Sequence, residues 1–220
     1  MTGQTLSAKP SKAMRPEERP VVVKLGGSVV RSPELSAWLA VIAAAPRPTI
    51  VVPGGGALAD EVRDCQQSLG FGDGPAHRMA LLAMDQLAWA VAGLHVGFEV
   101  GESEAALWQS LARGRVAVWA PYALIANRAD IPESWSLTSD SLGLWLAGKV
   151  GASHFFLIKS IARRATRAGA AQLCRDGIVD QAFPSMLKDA GIPTYLLGRG
   201  DQEAFAACMA GGSLCGAAID

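Results

Sequence analysis

Val21-Val22-Val23-Lys24-Leu25-Gly26-Gly27-Ser28 and Thr49-Ile50-Val51-Val52-Pro53-Gly54-Gly55-Gly56 share one pattern, a β-branched run that stops at a glycine turn. Val and Ile are stiff at χ1 and fit a pleated surface, whereas glycine lets the backbone turn sharply. A helical stretch follows each turn, at residues 33–45 and 57–69, the first with Pro33 in its opening turn. Strand, glycine turn and helix, twice in succession, argue for an α/β protein with a mainly parallel sheet covered on both faces.

The rest of the chain continues this alternation. Residues 71–75 read as a loop and 77–94 as a long, mostly apolar helix. Residues 96–100 and 115–119 read as strands, with a short helix between them near residues 104–112. A helix over 137–151 is opened by Thr138 or Ser139 as cap, and 154–158 and 194–197 are further buried strands. In such sheets ligands sit beyond the carboxyl ends of the strands, where both glycine turns lie.

Bulk properties narrow the function classes. The chain has 220 residues, 50% of them apolar, enough for one sizeable core. Formal net charge is zero, which argues against nucleic acid or an anionic membrane as the main partner. No apolar run is long enough to span a bilayer. The four cysteines, Cys65, Cys174, Cys208 and Cys215, form no C-x-x-C pair, and three histidines accompany them. Reduced thiols in a cytoplasmic protein are therefore expected rather than a zinc site or a disulfide frame. Residues 1–19 are polar, lack the apolar core of a signal peptide and read as a flexible tail, leaving residues 20–220 as a single domain.

The glycine turns carry chemistry. Glycine allows a ligand close to the backbone, so that consecutive N–H groups can point at one anion, and an adjoining helix adds its positive end. A single glycine pair after a strand is often only a tight connection. Two of them side by side suit a phosphate donor and a phosphate acceptor. Neither matches the P-loop or the Rossmann pattern. Lys24 is placed to bring a fixed positive charge to a transferring group.

V-V-V-K-L-G-G-S, then V-V-P-G-G-G, then T-S-D-S-L-G-L-W-L-A resemble the motifs of the amino acid kinase superfamily, over roughly residues 21–219. The resemblance implies an αβα sandwich whose N-terminal half, about residues 20–130, binds the acceptor and whose C-terminal half, about 131–220, binds ATP. It implies in-line transfer without a covalent enzyme intermediate, which is mostly positioning and charge neutralisation. By motif, Lys24 would contact the transferring phosphoryl group. Gly26, Gly27 and Ser28 would hold ATP phosphates, and Gly54, Gly55 and Gly56 the acceptor end. Asp140 matches the aspartate that organises the active-site lysines and, through water, Mg²⁺.

The segment A-H-R-M-A-L-L-A-M occupies the place of the A-D-x-M-G-M-L-A helix of uridylate kinases. His77 and Arg78 there suit a phosphorylated acceptor other than UMP. The family's T-D-x-x-G after the ATP-side strand is replaced by I-K-S, which makes Lys159 and Ser160 candidates for ATP phosphates. Arg163, Arg164, Arg167 and Arg175 then read either as a nucleotide-closing segment or as a solvated basic loop. For the family's second catalytic lysine, near a later helix start, Lys188 is a loose candidate.

Three stretches, A-H-R-M-A-L-L-A-M-D-Q, I-K-S and V-D-Q-A-F-P-S-M-L-K-D-A-G-I-P, are most similar to the (aminomethyl)furan-methyl phosphate kinases of methanofuran biosynthesis. That resemblance implies ATP and Mg²⁺ as co-substrates and a small furan-methyl monophosphate as acceptor, with Trp89, Trp119, Tyr122 or Trp135 lining its slot and Asp73 or Asp85 meeting its amine. A homodimer or larger homo-oligomer is common in the family. Two other readings share the fold: a non-catalytic nucleotide- or oxoanion-binding protein, and an isopentenyl phosphate or UMP type of kinase.

Overall fold

The structure is a computed structural model that describes Arg15, residues 18–162 and residues 166–220. Most of the expected tail, together with Arg163 and Arg164, lies outside the described residues. Arg19 is tied to the rest of the chain: its guanidinium donates to the carbonyls of Gly151 at 2.7 Å and Ala152 at 3.0 Å.

In chain order the first half holds β1 (Val21–Leu25), α1 (Gly27–Val30), α2 (Leu35–Ala43), β2 (Thr49–Pro53), α3 (Gly56–Leu69), α4 (Asp73–Gly93), β3 (Phe98–Gly101), α5 (Glu104–Ala112), β4 (Val116–Trp119) and α6 (Tyr122–Ile125). The second half holds α7 (Ser139–Lys149), β5 (His154–Ile158), β6 (Arg167–Ala168), α8 (Ala170–Arg175), α9 (Phe183–Ala190), β7 (Thr194–Leu197), α10 (Gln202–Met209) and β8 (Ala217–Ile219). The strands form one sheet in the order β3-β4-β2-β1-β5-β7-β8-β6. Every pairing is parallel except β7 with β8. The expected α/β sandwich with a mainly parallel sheet is therefore the fold. Strands β2, β4 and β3 lie on one side of the β1–β5 pair and β7, β8 and β6 on the other.

Alternation along the central strands assigns the two faces. Val21, Val23 and Leu25 pack with Trp38, Ile42, Phe156 and Phe205 in a core beneath α2 and α10. Val22 points the other way, into a core with Phe155, Leu157, Leu142 and Leu146 beneath α7. Period two then puts Lys24 on the α7 face with Val22, and Lys159 there with Phe155 and Leu157. Helix α7 comes close to the sheet at Gly143. A Cβ there would stand 3.1 Å from the Phe155 ring and 3.6 Å from the Lys24 Cβ.

Several boundaries differ from the sequence expectation. The anticipated loop at 71–75 is cut short because α4 already starts at Asp73. Gly72 is extended, Asp73 favours the positive helix end, and Pro75 sits in the first turn, where its missing N–H costs nothing. The strand expected at 96–100 begins only at Phe98, with Val96 almost fully exposed in the preceding turn. Among the described residues, the expected basic loop contains β6 and α8. Arg167 pairs with Asp220 and Arg175 bonds Gln172, so both contact exposed neighbours on their own surface. No described helix is long and apolar enough to cross a membrane.

Candidate active site

At the carboxyl ends of β1 and β2 the two glycine turns meet. A Cβ on Gly27 would lie 2.6 Å from the Cα of Gly56, and one on Gly54 would lie 2.8 Å from the Gly27 N. Neither position admits a side chain. Gly56 also has φ +52°, in the left-handed region that favours glycine. The turns form a single piece of backbone.

Their N–H groups divide into two sets. Gly26 N–H donates to the Ile158 carbonyl at 2.9 Å and Gly54 N–H to the Leu25 carbonyl at 2.8 Å. These two N–H groups extend the parallel ladder, so Gly26, expected to hold ATP phosphates, does not offer its N–H to them. Gly27 and Ser28 open α1, and Gly55 and Gly56 open α3. Helix geometry supplies no internal acceptor for N–H groups at such positions.

Beside the turns, Asp140 in the first turn of α7 bridges two lysines. Its Oδ1 is 2.6 Å from Lys24 Nζ and its Oδ2 is 2.7 Å from Lys159 Nζ. Lys24 comes from β1 and Lys159 from the residue after β5, so one carboxylate ties two strands to one helix. Lys24 and Asp140 are buried, at 2% and 4% exposure. Burial by itself raises the Asp140 pKa, but the two ammonium groups outweigh it and hold the carboxyl below its usual range. Burial first, and Lys24 second, push Lys159 down to about 8, against the attraction of Asp140. The neighbouring Ser160 hydroxyl is buried without a hydrogen-bond partner among the described residues.

A cavity of about 220 Å³ opens from the glycine turns. Gly27, Ser28, Gly54, Gly55 and Gly56 floor it, and Leu81, Met84, Leu137 and Leu142 make it apolar. His77, Arg63, Asp73 and Trp135 give it a polar end. His77 is buried at 7% exposure, and loss of solvent pushes its pKa down. Trp135 Nε1–H donates to Gln66 Oε1 at 2.6 Å, while Gln66 Nε2 donates to Asp73 Oδ1 at 2.9 Å. The Arg63 guanidinium lies 4.1 Å from the Trp135 ring centroid.

The sequence candidates thus separate. Lys24, Asp140 and Lys159 come together beside Gly26, with Ser160 adjoining Lys159, while Gly27, Ser28, Gly54, Gly55, Gly56 and His77 line the neighbouring cavity, which the two lysines and Asp140 do not line. Arg78 does not line the cavity; its half-exposed guanidinium pairs with Glu133 at 3.5 Å. Lys188 is exposed in the last turn of α9, next to the amino end of β7. Since β7 runs parallel to β5, that is the opposite end of the sheet from Lys159. Of the residues proposed for an acceptor slot, Trp135 and Asp73 line the cavity. Trp119 is wholly buried core, Trp89 is exposed, Tyr122 packs against the core, and Asp85 accepts from the Tyr122 N–H at 3.1 Å.

Two participants escaped the sequence reading. Arg63 carries no motif; it reaches the cavity because α3 starts at the second glycine turn and position 63 faces the same side as Ala59 and Asp60. Asp180 binds the opening of α7. Its Oδ2 accepts from the N–H and hydroxyl of Thr138, each at 2.9 Å, and from the Ser141 N–H at 3.1 Å. Its Oδ1 accepts from the Ser141 hydroxyl and from the Phe183 N–H at 3.1 Å. Asp180 stands in the stretch V-D-Q-A-F-P-S-M-L-K-D-A-G-I-P quoted above, but nothing local in that stretch says that its carboxylate reaches α7.

Comparison with known proteins bears on the family and the fold. The model of the amino acid kinase family matches residues 19–163. A (5-(aminomethyl)furan-3-yl)methyl phosphate kinase from Methanocaldococcus jannaschii is 22% identical over 188 residues, covering 80% of this chain and 86% of that protein. Uridylate kinase from Archaeoglobus fulgidus superposes with a TM-score of 0.69 at 19% identity, covering 91% of this chain and 99% of the other. UMP kinase from Bacillus anthracis superposes with a TM-score of 0.68 at 13% identity, covering 92% and 96%.

Proposed function

This chain belongs to the amino acid kinase family and is a phosphotransferase, and we propose that it moves a phosphoryl group from ATP to the phosphate of a small single-ring monophosphate, of the (aminomethyl)furan-methyl phosphate type. The observation that carries the transfer chemistry is Asp140 bridging Lys24 and Lys159 beside the fused glycine turns. Phosphoryl transfer needs little covalent help from the protein; it needs the reacting oxygens in line and the charge on the equatorial oxygens offset. Two ammonium groups held by one buried carboxylate meet that need, because their positions do not depend on the substrate for assembly.

In this reading Lys24 faces the transferring group and Lys159 the nucleotide phosphates, with the Ser160 hydroxyl beside it. The N–H groups of Gly27 and Ser28 serve the nucleotide side, and those of Gly55 and Gly56 the acceptor side. The residues fit such a role, since a Cβ at Gly27 would fill the cradle. Mg²⁺ would be carried by the nucleotide phosphates, within reach of Asp140 through water, and would offset phosphate charge there. His77, buried in the cavity wall, and Arg63 at its rim are placed for the acceptor's own phosphate. Cytoplasmic location and assembly into a homodimer or larger oligomer belong to the same proposal.

For the acceptor, the Methanocaldococcus relative supplies the class and the cavity supports it. Its volume of about 220 Å³ lies below the roughly 300–1,000 Å³ of pockets for drug-sized ligands. Trp135 offers an aromatic wall for a ring and Asp73 a carboxylate for an amine. The test is ADP release with ATP-Mg²⁺ and a panel of furan-methyl phosphate, isopentenyl phosphate and UMP. The furan phosphate should give a kcat/KM at least tenfold above the others. A preference for UMP or isopentenyl phosphate would overturn the acceptor, and nucleotide binding without turnover on any of them would overturn the kinase cycle.

A further inference from the structure

We infer that Asp180 is a positioning residue for phosphoryl transfer: it holds the opening turn of α7 so that Asp140 keeps both lysines. The inference rests on the reading that Asp140 organises Lys24 and Lys159 for catalysis.

Helix α7 has an unusual start. Its N-cap residue, Thr138, makes no side-chain bond to its own helix. The first-turn N–H groups of a helix ordinarily find such a local acceptor. Here the acceptor comes from 42 positions later, and it takes the N–H and hydroxyl of both Thr138 and Ser141. Asp140 lies between those two residues, so its backbone is held on both sides by one carboxylate. The same carboxylate takes the Phe183 N–H at the start of α9. A parallel tie, Ala182 N–H to the Ser136 carbonyl at 2.9 Å, joins the two segments again.

A local cap would satisfy α7 without saying where the helix sits. A cap anchored in α9 also sets its position along the sheet. That position matters because Asp140 meets lysines from two different strands at 2.6 and 2.7 Å. A slide of about 1 Å would break one contact or the other, and misplacement of that size costs on the order of 100-fold in rate. Asp180 itself does not line the cavity, so its effect passes through α7.

The experiment compares Asp180→Ala, Asp180→Asn and Ser141→Ala with Met209→Ala, a buried change in α10 far from the site. Asp180→Ala should lower kcat about 10- to 100-fold while KM for ATP and acceptor move less than about threefold. Asp180→Asn, which keeps one acceptor oxygen, should recover part of the loss, and Ser141→Ala should lose less than Asp180→Ala. Adding Asp180→Ala to Asp140→Asn should cost nothing further, because the first acts through the second. Multiplied losses, a change confined to KM, or an equal loss in Met209→Ala would overturn the inference. If the unaltered chain turns over no acceptor, the functional reading fails separately. Amide exchange then decides this one: residues 139–142 should exchange faster in Asp180→Ala and Ser141→Ala than in Met209→Ala, and equal protection would overturn it.

Discussion

Gly27 and Gly56 come from turns after different strands, yet a Cβ on Gly27 would stand 2.6 Å from the Gly56 Cα and 2.7 Å from its N. The donor-side and acceptor-side cradles therefore share a wall made of backbone. A substitution in one must displace the other, which makes the pair sensitive to a single methyl group.

Gly27→Ala should accordingly reduce turnover by two orders of magnitude or more, raising KM for both substrates, with the chain still folded. Gly148 is the counterpart: exposed in α7, with nothing within 4 Å of an added Cβ. Gly148→Ala should stabilise by about 0.5–1 kcal/mol and leave turnover unchanged. Steady-state kinetics and thermal melts on the two variants check both, and full activity in Gly27→Ala would refute the shared cradle.

Lys24→Ala removes the ammonium assigned to the transferring group. Loss of one such preorganised charge typically costs on the order of 3 kcal/mol of barrier, so kcat should fall by at least 100-fold. Circular dichroism should show the fold retained. Near-normal turnover would mean that Lys24 only neutralises Asp140.

Asp140→Asn leaves two ammonium groups without their anion. Breaking a buried ion pair from one side costs about 3–5 kcal/mol in general, with partial solvent access at Lys159 placing this case at the lower end. The melting temperature should drop, and it should recover partly as pH rises, because Lys159 can then shed its proton. A pH-independent loss would argue against this account.

The pH profile follows from Lys159. Its pKa of about 8 lies below the ordinary 10.5 of a lysine. Between those values the folded chain binds fewer protons than the unfolded one, so this group's contribution to stability rises with pH. Activity should move oppositely, since the ammonium is the working form. The kcat/KM profile should fall above a limb near pH 8, reporting the free enzyme. In Lys159→Arg the rate should be lower but the limb absent below pH 10, because guanidinium stays charged. A limb that persists in that variant belongs to another group.

Asp85 gives a second, separate pH effect. Burial lifts its pKa to about 6 against the Tyr122 N–H bond, which favours the anion. For an acid raised in the folded state, stability falls as pH rises from about 4 to 6. Asp85→Asn keeps an oxygen for Tyr122 and should remove that slope, giving a higher melting temperature at pH 7 than the unaltered chain. Melts across pH 4–8 test it; an unchanged slope would refute the assignment.

Much of the fold was readable in the chain. The central strands, their mainly parallel direction and the turns rest on β-branched runs and glycine pairs, whose preferences act within a few residues. Elements at the far edge were harder. The two-residue β6 and the Ala-rich β8 have little propensity of their own and exist because the sheet edge offers them partners. Lys188 misled because its sequence context, near a helix, says nothing about which end of the sheet that helix faces.

By itself the sequence determined the local chemistry: Lys24 at a strand end, glycines where no side chain fits, and Asp140 at a helix start, each a consequence of neighbours along the chain. Tertiary structure alone decided which of these meet. Lys159 rather than Lys188 joins Asp140, Arg63 rather than Arg78 reaches the cavity, and Asp180 caps a helix 42 positions away. Those choices depend on strand register and on how closely α7 approaches the sheet at Gly143. Such distances are set by packing among residues far apart in sequence, which no local pattern records.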